Sequence, residues 1–255
     1  MEFWIPIMLG LVQGITEFLP ISSSGHLVLL EHFCGLEGDF LFLNVLLHVA
    51  TLFAVILYYR KTIWHLITHP LCQMNKYLVI ATIPAVIFVV LLGGIVDTVL
   101  SSITFVGIGF LLTAVFLTVA VIMSKRTTTP SQLNYKNVLV MGVSQAFAVF
   151  PGLSRSGTTL AFGLTAGIER QTALDFSFLM SIPIIFASLV YQLIFADFST
   201  IFMDINLIGT IIAFVTAFFS ALLGLILMKK VVKNINLIYF VPYLIILGFL
   251  TIILA

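Results

Sequence analysis

Charged residues are scarce in this chain. Only 8% of its 255 residues are Asp, Glu, Lys or Arg, whereas 61% are hydrophobic and 24 are phenylalanine; the mean hydropathy is +1.24. A soluble domain of this length needs roughly a quarter of its residues charged to form a polar surface. The scarcity excludes an ordinary soluble protein and predicts a single all-α membrane domain, residues 1–255, that uses the bilayer as its solvent.

Net charge and cysteine are also low. A net charge of +1 provides no basic surface, which argues against nucleic acid as a partner. Cys34 and Cys72 fall in predicted loops on opposite sides of the membrane, so we expect no disulfide between them. The N-terminus lacks the basic region and small-residue cleavage site of a signal peptide, so we expect its first helix to be retained.

Long apolar runs, by contrast, occur at six places. Each run has about 20 residues, enough for a helix to cross roughly 30 Å of hydrocarbon. Pro183 is expected to kink the fourth. The six predicted spans are Phe40–Tyr59, Tyr77–Val96, Ile103–Met123, Thr172–Ala196, Asn206–Met228 and Leu237–Leu254.

Two further apolar segments, Phe3–Phe33 and Val138–Gly167, are interrupted in the middle by polar residues and helix breakers. The interruptions are Pro20–Gly25 (PISSSG) and Pro151–Gly157 (PGLSRSG). Each half is too short to span a bilayer, so each segment predicts a re-entrant hairpin of two helices. Irregular backbone at that depth must line a cavity, because lipid cannot satisfy its polar groups.

The two broken segments align with each other without a gap, at an offset of 132 residues. We therefore predict two repeats, at about residues 1–124 and 137–255, each with one re-entrant hairpin and three spans. An odd number of spans turns the second copy upside down, giving an inverted-topology repeat whose breaks meet near the midplane. The matching pairs are Gly10/Gly142, Gln13/Gln145, Phe18/Phe150, Ser22/Ser154, Ser24/Ser156 and Gly25/Gly157.

The distribution of cations supports this topology. Ten of the eleven Lys and Arg residues fall in four loops that it places on one side, which the positive-inside rule identifies as cytoplasmic. Both termini are then outside. The ten cations are Arg60, Lys61, Lys76, Lys125, Arg126, Lys136, Arg170, Lys229, Lys230 and Lys233.

Glu17 and Arg155 are the charged residues predicted at membrane depth, where charge is costly and usually faces a cavity. Glu17 either neutralises Arg155 or acts as a general base or metal ligand, and both roles are compatible. Arg155 has a planar fork that suits two phosphate oxygens. Its alternative role is a structural ion pair.

The serines at the two breaks also have two interpretations. Each can cap a helix, or the two serine-rich helix starts can together form an anion site, because their free N–H groups and dipoles point into one cavity. The glycines would let the backbone approach a phosphate closely. The predicted phosphate-binding residues are Arg155, Ser154, Ser156, Gly152, Gly157, Ser22, Ser24 and Gly25.

Two histidines complete the candidate residues. His26 follows the first break within about one helical turn of three hydroxyls, so it could transfer a proton or act as a nucleophile. Its alternative role is a hydrogen-bonded structural residue. His48 is either structural or a supporting partner of the site.

The segments Gln13–His26 and Pro151–Gly157 resemble the two signature motifs of bacterial undecaprenyl-diphosphate phosphatases, the bacitracin-resistance family. The resemblance covers nearly the whole chain. It implies hydrolysis of undecaprenyl diphosphate to undecaprenyl phosphate and inorganic phosphate, which recycles the carrier lipid for cell-wall synthesis. It also implies a bacterial plasma-membrane enzyme with its site facing outward and a divalent cation, Mg²⁺ or Ca²⁺, for which Glu17 is the candidate ligand.

On this chain the resemblance implicates Glu17, Ser23, His26 and Arg155, with Gln13 at a position that is Glu or Gln in the family. The expected scheme has Ser23 attack the terminal phosphorus with Glu17 or His26 as base. In the alternative scheme, His26 attacks or activates water.

A lipid flippase or secondary transporter is the competing function, because inverted repeats with midplane breaks are also transporter architecture. Undecaprenyl diphosphate and membrane lipid are the expected partners, and a homodimer is a further candidate assembly.

Overall fold

A computed structural model describes residues 4–36, 41–99, 102–126, 129–195, 207–234 and 236–255. These residues are helical apart from turns, short connections and an isolated bridge between Ser131 and Ile168. The helices are α1 Trp4–Phe18, α2 Ser23–Phe33, α3 Leu41–Tyr58, α4 Arg60–Thr68, α5 Gln73–Val99, α6 Ile103–Arg126, α7 Tyr135–Phe147, α8 Arg155–Thr165, α9 Arg170–Phe195, α10 Leu207–Asn234 and α11 Phe240–Ile253, with a 3₁₀ turn at Leu237–Tyr239.

Four of these helices, α5, α6, α9 and α10, are long and apolar enough to cross a membrane. A fifth candidate combines α3 with α4, which bends away from it by 83°. The predicted span Leu237–Leu254 is a shorter apolar helix, Leu237–Ile253. The protein is therefore an all-α, multi-pass membrane protein, as the sequence predicts.

Both broken segments contain two helices separated by an irregular break. In each, a serine caps the second helix: the Gly25 N–H donates to Ser22 Oγ at 3.3 Å, and the Gly157 N–H donates to Ser154 Oγ at 3.0 Å. Gly152 in the second break has φ 82°, and a Cβ there would lie 2.1 Å from the Val106 carbonyl oxygen. Only glycine fits this position, because a side chain would meet both the left-handed backbone and this contact.

Glycines bring the two halves of the chain into close contact. Gly10 of α1 packs on α10, where a Cβ would lie 2.4 Å from the Ala213 carbonyl oxygen. Gly142 of α7 packs on α5, where a Cβ would lie 2.7 Å from the Ala81 backbone. Ala81 and Ala213 are also 132 positions apart. The same contact therefore occurs twice, each time between a helix of one half and a helix of the other.

The cation-rich segments meet at one end of the helices. The Tyr59 hydroxyl after α3 donates to Asp175 Oδ1 of α9 at 2.5 Å, and Lys229 Nζ of α10 lies 2.9 Å from the same oxygen. Arg170, at the start of α9, donates to Ser124 Oγ near the end of α6 at 3.4 Å. These contacts gather the start of α9 and the ends of α3, α6 and α10 in one place.

The outer surface is apolar, as a lipid-facing surface requires. Val90 and Leu91 of α5 are 71% and 72% exposed, and Phe186 of α9 is 59% exposed. Aromatic residues also fill the interior, where Phe18 and Phe178 meet edge to face at 5.2 Å. A helix that is apolar on both its interior face and its outer face is ordinary in lipid. In water, the exposed apolar side chains on the outer face would drive aggregation.

The glycine contacts predict a stability difference between two substitutions. Gly142→Ala should lower the unfolding temperature in detergent by several degrees, because its Cβ would meet the α5 backbone and overpacking costs about 1–3 kcal/mol. Gly163→Ala in α8 is the milder comparison, since its Cβ would meet no backbone: its nearest atoms would be the flexible end of Met141 at 3.1 Å and Ala173 Cβ at 3.2 Å. Equal unfolding temperatures for the two variants would contradict the close approach of α7 to α5.

Candidate active site

The two breaks enclose a cavity of about 240 Å³. Its lining combines polar groups with apolar side chains from α5, α9 and the second break. Such a lining can contact both a charged head group and hydrocarbon. The polar lining residues are Glu17, Ser22, Ser23, Ser24, His48, Gln145, Ser154, Arg155 and Ser188, and the apolar ones are Val89, Ala148, Val149, Leu153, Ile184 and Ile185.

Four polar side chains of the site converge on Glu17. Its side chain is buried, and Ser23 Oγ donates to its Oε2 at 2.6 Å. Gln13 Nε2 donates to the same oxygen at 3.2 Å, while Arg155 Nη2 donates to Oε1. His48 Nε2 lies 3.5 Å from Oε2. The structure therefore brings together five of the residues singled out in the sequence.

Ser23 and Arg155 occupy equivalent places in the two halves. They are 132 positions apart, and each is the first residue of the helix that follows a break. Both side chains reach the same carboxylate. The first turns of α2 and α8 consequently face one cavity, and their unpaired N–H groups favour an anion there.

His26 lies away from this cavity. Its Nδ1 is 2.7 Å from the Ser22 carbonyl oxygen and its Nε2 is 2.6 Å from the Tyr243 hydroxyl. The ring stacks on Tyr243 of α11 and meets the edge of Phe110. Both ring nitrogens thus have partners, and the ring is not among the groups that line the cavity.

The remaining predicted phosphate-binding residues separate into two groups. Ser22, Ser24 and Ser154 line the cavity. Ser156 instead donates to the Leu19 carbonyl oxygen at 3.0 Å, which ties the second break to the first. The glycines lie behind the lining: a Cβ at Gly25 would be 2.6 Å from the Phe110 ring, and one at Gly157 would be 3.0 Å from Ser154 Oγ.

His48 is held by its own helix. Its Nδ1 lies 2.7 Å from the Asn44 carbonyl oxygen, so Nδ1 carries a proton and Nε2 faces Glu17.

Gln145 also lines the cavity, although its sequence position marked it only as the counterpart of Gln13. That equivalence was the signal that could have identified it. Tyr243, the partner of His26, has no comparable signal in the sequence.

The described residues do not offer the ligand set of a protein-bound divalent cation. Among them no three His, Cys, Asp or Glu side chains lie close enough to hold a metal ion. Among the residues that the structure describes, Glu17 is the one carboxylate lining the cavity, and both of its oxygens already accept hydrogen bonds. Mg²⁺ and Ca²⁺ need about six or more oxygen ligands, of which this side chain could supply one or two.

The arrangement matches the needs of phosphoryl transfer. A hydroxyl in hydrogen-bond contact with a buried carboxylate can act as a nucleophile beside a general base. A guanidinium and two helix starts next to them can bind phosphate oxygens and the negative charge of a transferring group.

Comparison with known proteins assigns the family. Residues 6–250 match the family model described as bacitracin resistance protein BacA. An undecaprenyl-diphosphatase of Marinobacter nauticus is 36% identical, over 97% of each chain, and one of Thermosipho melanesiensis is 38% identical, over 98% of each. Undecaprenyl-diphosphatase 4 of Bacillus thuringiensis subsp. konkukian is 40% identical over 74% of this chain and 73% of its own. The chain therefore belongs to the bacitracin resistance protein BacA family.

Proposed function

We propose that this protein hydrolyses undecaprenyl diphosphate to undecaprenyl phosphate and inorganic phosphate, and so recycles the carrier lipid for cell-wall synthesis. The relatives that match nearly the whole chain are named for this activity. The observation that carries the proposal is the hydrogen bond from Ser23 Oγ to Glu17 at 2.6 Å, beside Arg155 in a cavity that apolar side chains also line.

In the first step Ser23 is the nucleophile. Glu17 Oε2 accepts its proton as Oγ bonds to the terminal phosphorus, and the bond from that phosphorus to the bridging oxygen breaks. Undecaprenyl phosphate leaves with the bridging oxygen. Arg155 and the starts of α2 and α8 stabilise the negative charge on the phosphoryl group in transit.

His48 Nε2, at 3.5 Å from Glu17 Oε2, is placed to accept the proton that Glu17 takes up in the first step, which returns Glu17 to its ionised form. In the second step a water molecule attacks the phosphoserine, and Glu17 accepts one proton of that water. The bond between Oγ and phosphorus breaks, inorganic phosphate leaves with the remaining O–H, and Glu17 returns its proton to Ser23 Oγ. His26 serves in this scheme to fix the start of α2 through Ser22 and Tyr243.

None of these steps depends on a cation held by the protein. Because Glu17 is the one carboxylate among the described residues that line the cavity, we expect Mg²⁺ or Ca²⁺ to enter bound to the diphosphate of the substrate. Glu17 would then be a minor ligand at most. The cation would then neutralise phosphate charge while the side chains of the site carry out proton transfer and attack.

We also propose the full topology, an inverted repeat with six spans and two re-entrant pairs. Its support is the recurrence of contacts at an offset of 132 residues, from the serine caps to the close packing of Gly10 on Ala213 and Gly142 on Ala81. In this arrangement α1–α2 and α7–α8 enter from opposite faces, and their breaks meet at the cavity.

The orientation follows from the cations. The end that gathers Arg170 and Lys229 is cytoplasmic by the positive-inside rule. The protein then lies in the bacterial plasma membrane with both termini outside and the cavity open outward, where the diphosphate head of the lipid would enter.

The activity is tested by phosphate release from undecaprenyl diphosphate by the purified protein. Ser23→Ala should reduce turnover by several powers of ten, because it removes the nucleophile. Ser24→Ala, at the neighbouring hydroxyl, should retain much more activity. A Ser23→Ala variant that keeps a tenth of normal turnover would exclude the serine scheme, and an inactive wild type would exclude the function.

The orientation is tested with the two natural cysteines, which are both free and partly exposed. In intact cells Cys34, after α2, should react with a membrane-impermeant thiol reagent when Cys72 is replaced by serine. Cys72, between α4 and α5, should react only after permeabilisation when Cys34 is replaced. The opposite pattern would invert the proposed orientation, and equal labelling would rule out the proposed topology.

A further inference from the structure

Gln145 has an unusual environment for a buried amide. Its residue is 1% exposed, yet neither Nε2 nor Oε1 has a hydrogen-bond partner among the described residues. Leaving a buried polar group unpaired costs about 1–3 kcal/mol, and such groups are rare in folded proteins. Gln145 also lines the cavity between the two breaks, so a bound molecule can supply the missing partner.

The internal repeat explains why this amide has no partner. Its counterpart Gln13 donates to Glu17, four residues later on the same helix. The residue four positions after Gln145 is Val149, whose side chain has no acceptor. The second half therefore repeats the amide without the carboxylate that engages it in the first half.

A second donor of the same cavity is also unpaired. Arg155 donates a hydrogen bond from Nη2 to Glu17, whereas its Nη1 is buried without a partner among the described residues. Arg155 and Gln145 line the same 240 Å³ cavity. An amide N–H and a guanidinium N–H that both lack acceptors favour an anion with several oxygens, such as a phosphate group.

We propose that Gln145 is a substrate-positioning residue whose Nε2 donates to a non-bridging phosphate oxygen of the bound diphosphate, together with Arg155 Nη1. This inference rests on the proposed function. Gln145 Oε1 accepts from a water molecule or from a protonated phosphate oxygen at the same place. Val149, at the position equivalent to Glu17, keeps a second carboxylate out of this part of the cavity and so avoids repulsion of the phosphate.

Gln145→Leu tests the proposal, because leucine keeps much of the volume and removes both unpaired polar atoms. The KM for undecaprenyl diphosphate should rise about tenfold or more, as expected for loss of a hydrogen bond to a charged group. The unfolding temperature without ligand should not fall, since the Gln145 side chain makes no hydrogen bond with the described residues that could be lost. If Gln145→Leu does not fold, Gln145→Met, which is also apolar and more adaptable, provides the same comparison.

Ser144→Ala is the matched control. Ser144 precedes Gln145 on α7 and is equally buried, and its hydroxyl donates to the Met141 carbonyl oxygen at 2.7 Å. It does not line the cavity. Its substitution should leave the KM near the wild-type value. A KM for Gln145→Leu that equals that of Ser144→Ala, or a large fall in unfolding temperature with an unchanged KM, would overturn the proposal.

A binding measurement separates this inference from the proposed function. Methylenediphosphonate, which cannot be hydrolysed, should raise the unfolding temperature of the wild type and of Ser144→Ala, and should lose most of that effect in Gln145→Leu. If the wild type releases no phosphate but still shows this pattern, the function fails and the anion contact stands. If phosphate is released and Gln145→Leu binds the diphosphonate normally, the function stands and the contact fails.

Discussion

The ion pair between Glu17 and Arg155 is the interaction on which the rest of the site depends. Glu17 lies in the last turn of the first helix of one half, and Arg155 begins the helix after the break of the other. Both charges are largely buried, and removing one partner of such a pair costs about 3–5 kcal/mol because the other remains unpaired. The pair therefore fixes the two breaks against each other, and it holds the carboxylate against Ser23.

The chemistry arises where the two halves of the chain differ. Their shared features are structural: serine caps, glycines in close contact, and irregular breaks. At equivalent positions, however, one half has Ser23 and the other has Arg155. Glu17 is likewise matched by Val149. The repeated framework thus places a hydroxyl and a guanidinium at equivalent positions beside one carboxylate, which only the first half supplies.

Sequence reasoning could predict the helices, the two breaks and a partnership of Glu17 with Arg155, because apolar runs, helix breakers and intramembrane charges are local signals. It could not predict the direction in which His26 points. That direction depends on a contact with Tyr243, 217 residues away, and thus on how α11 packs. The approach of His48 to Glu17 likewise depends on the angle of α3 in the bundle, which no spacing in the sequence encodes.

The central claim is that Ser23, held by Glu17, forms the bond to phosphorus. Rapid quenching of the wild-type protein with undecaprenyl diphosphate labelled in its terminal phosphate tests this directly. The account predicts that label appears on Ser23 before free phosphate is released, and that Arg155→Ala sharply lowers the rate at which it appears. Label on His26, or a first turnover of phosphate release with no labelled protein at any time, would contradict it.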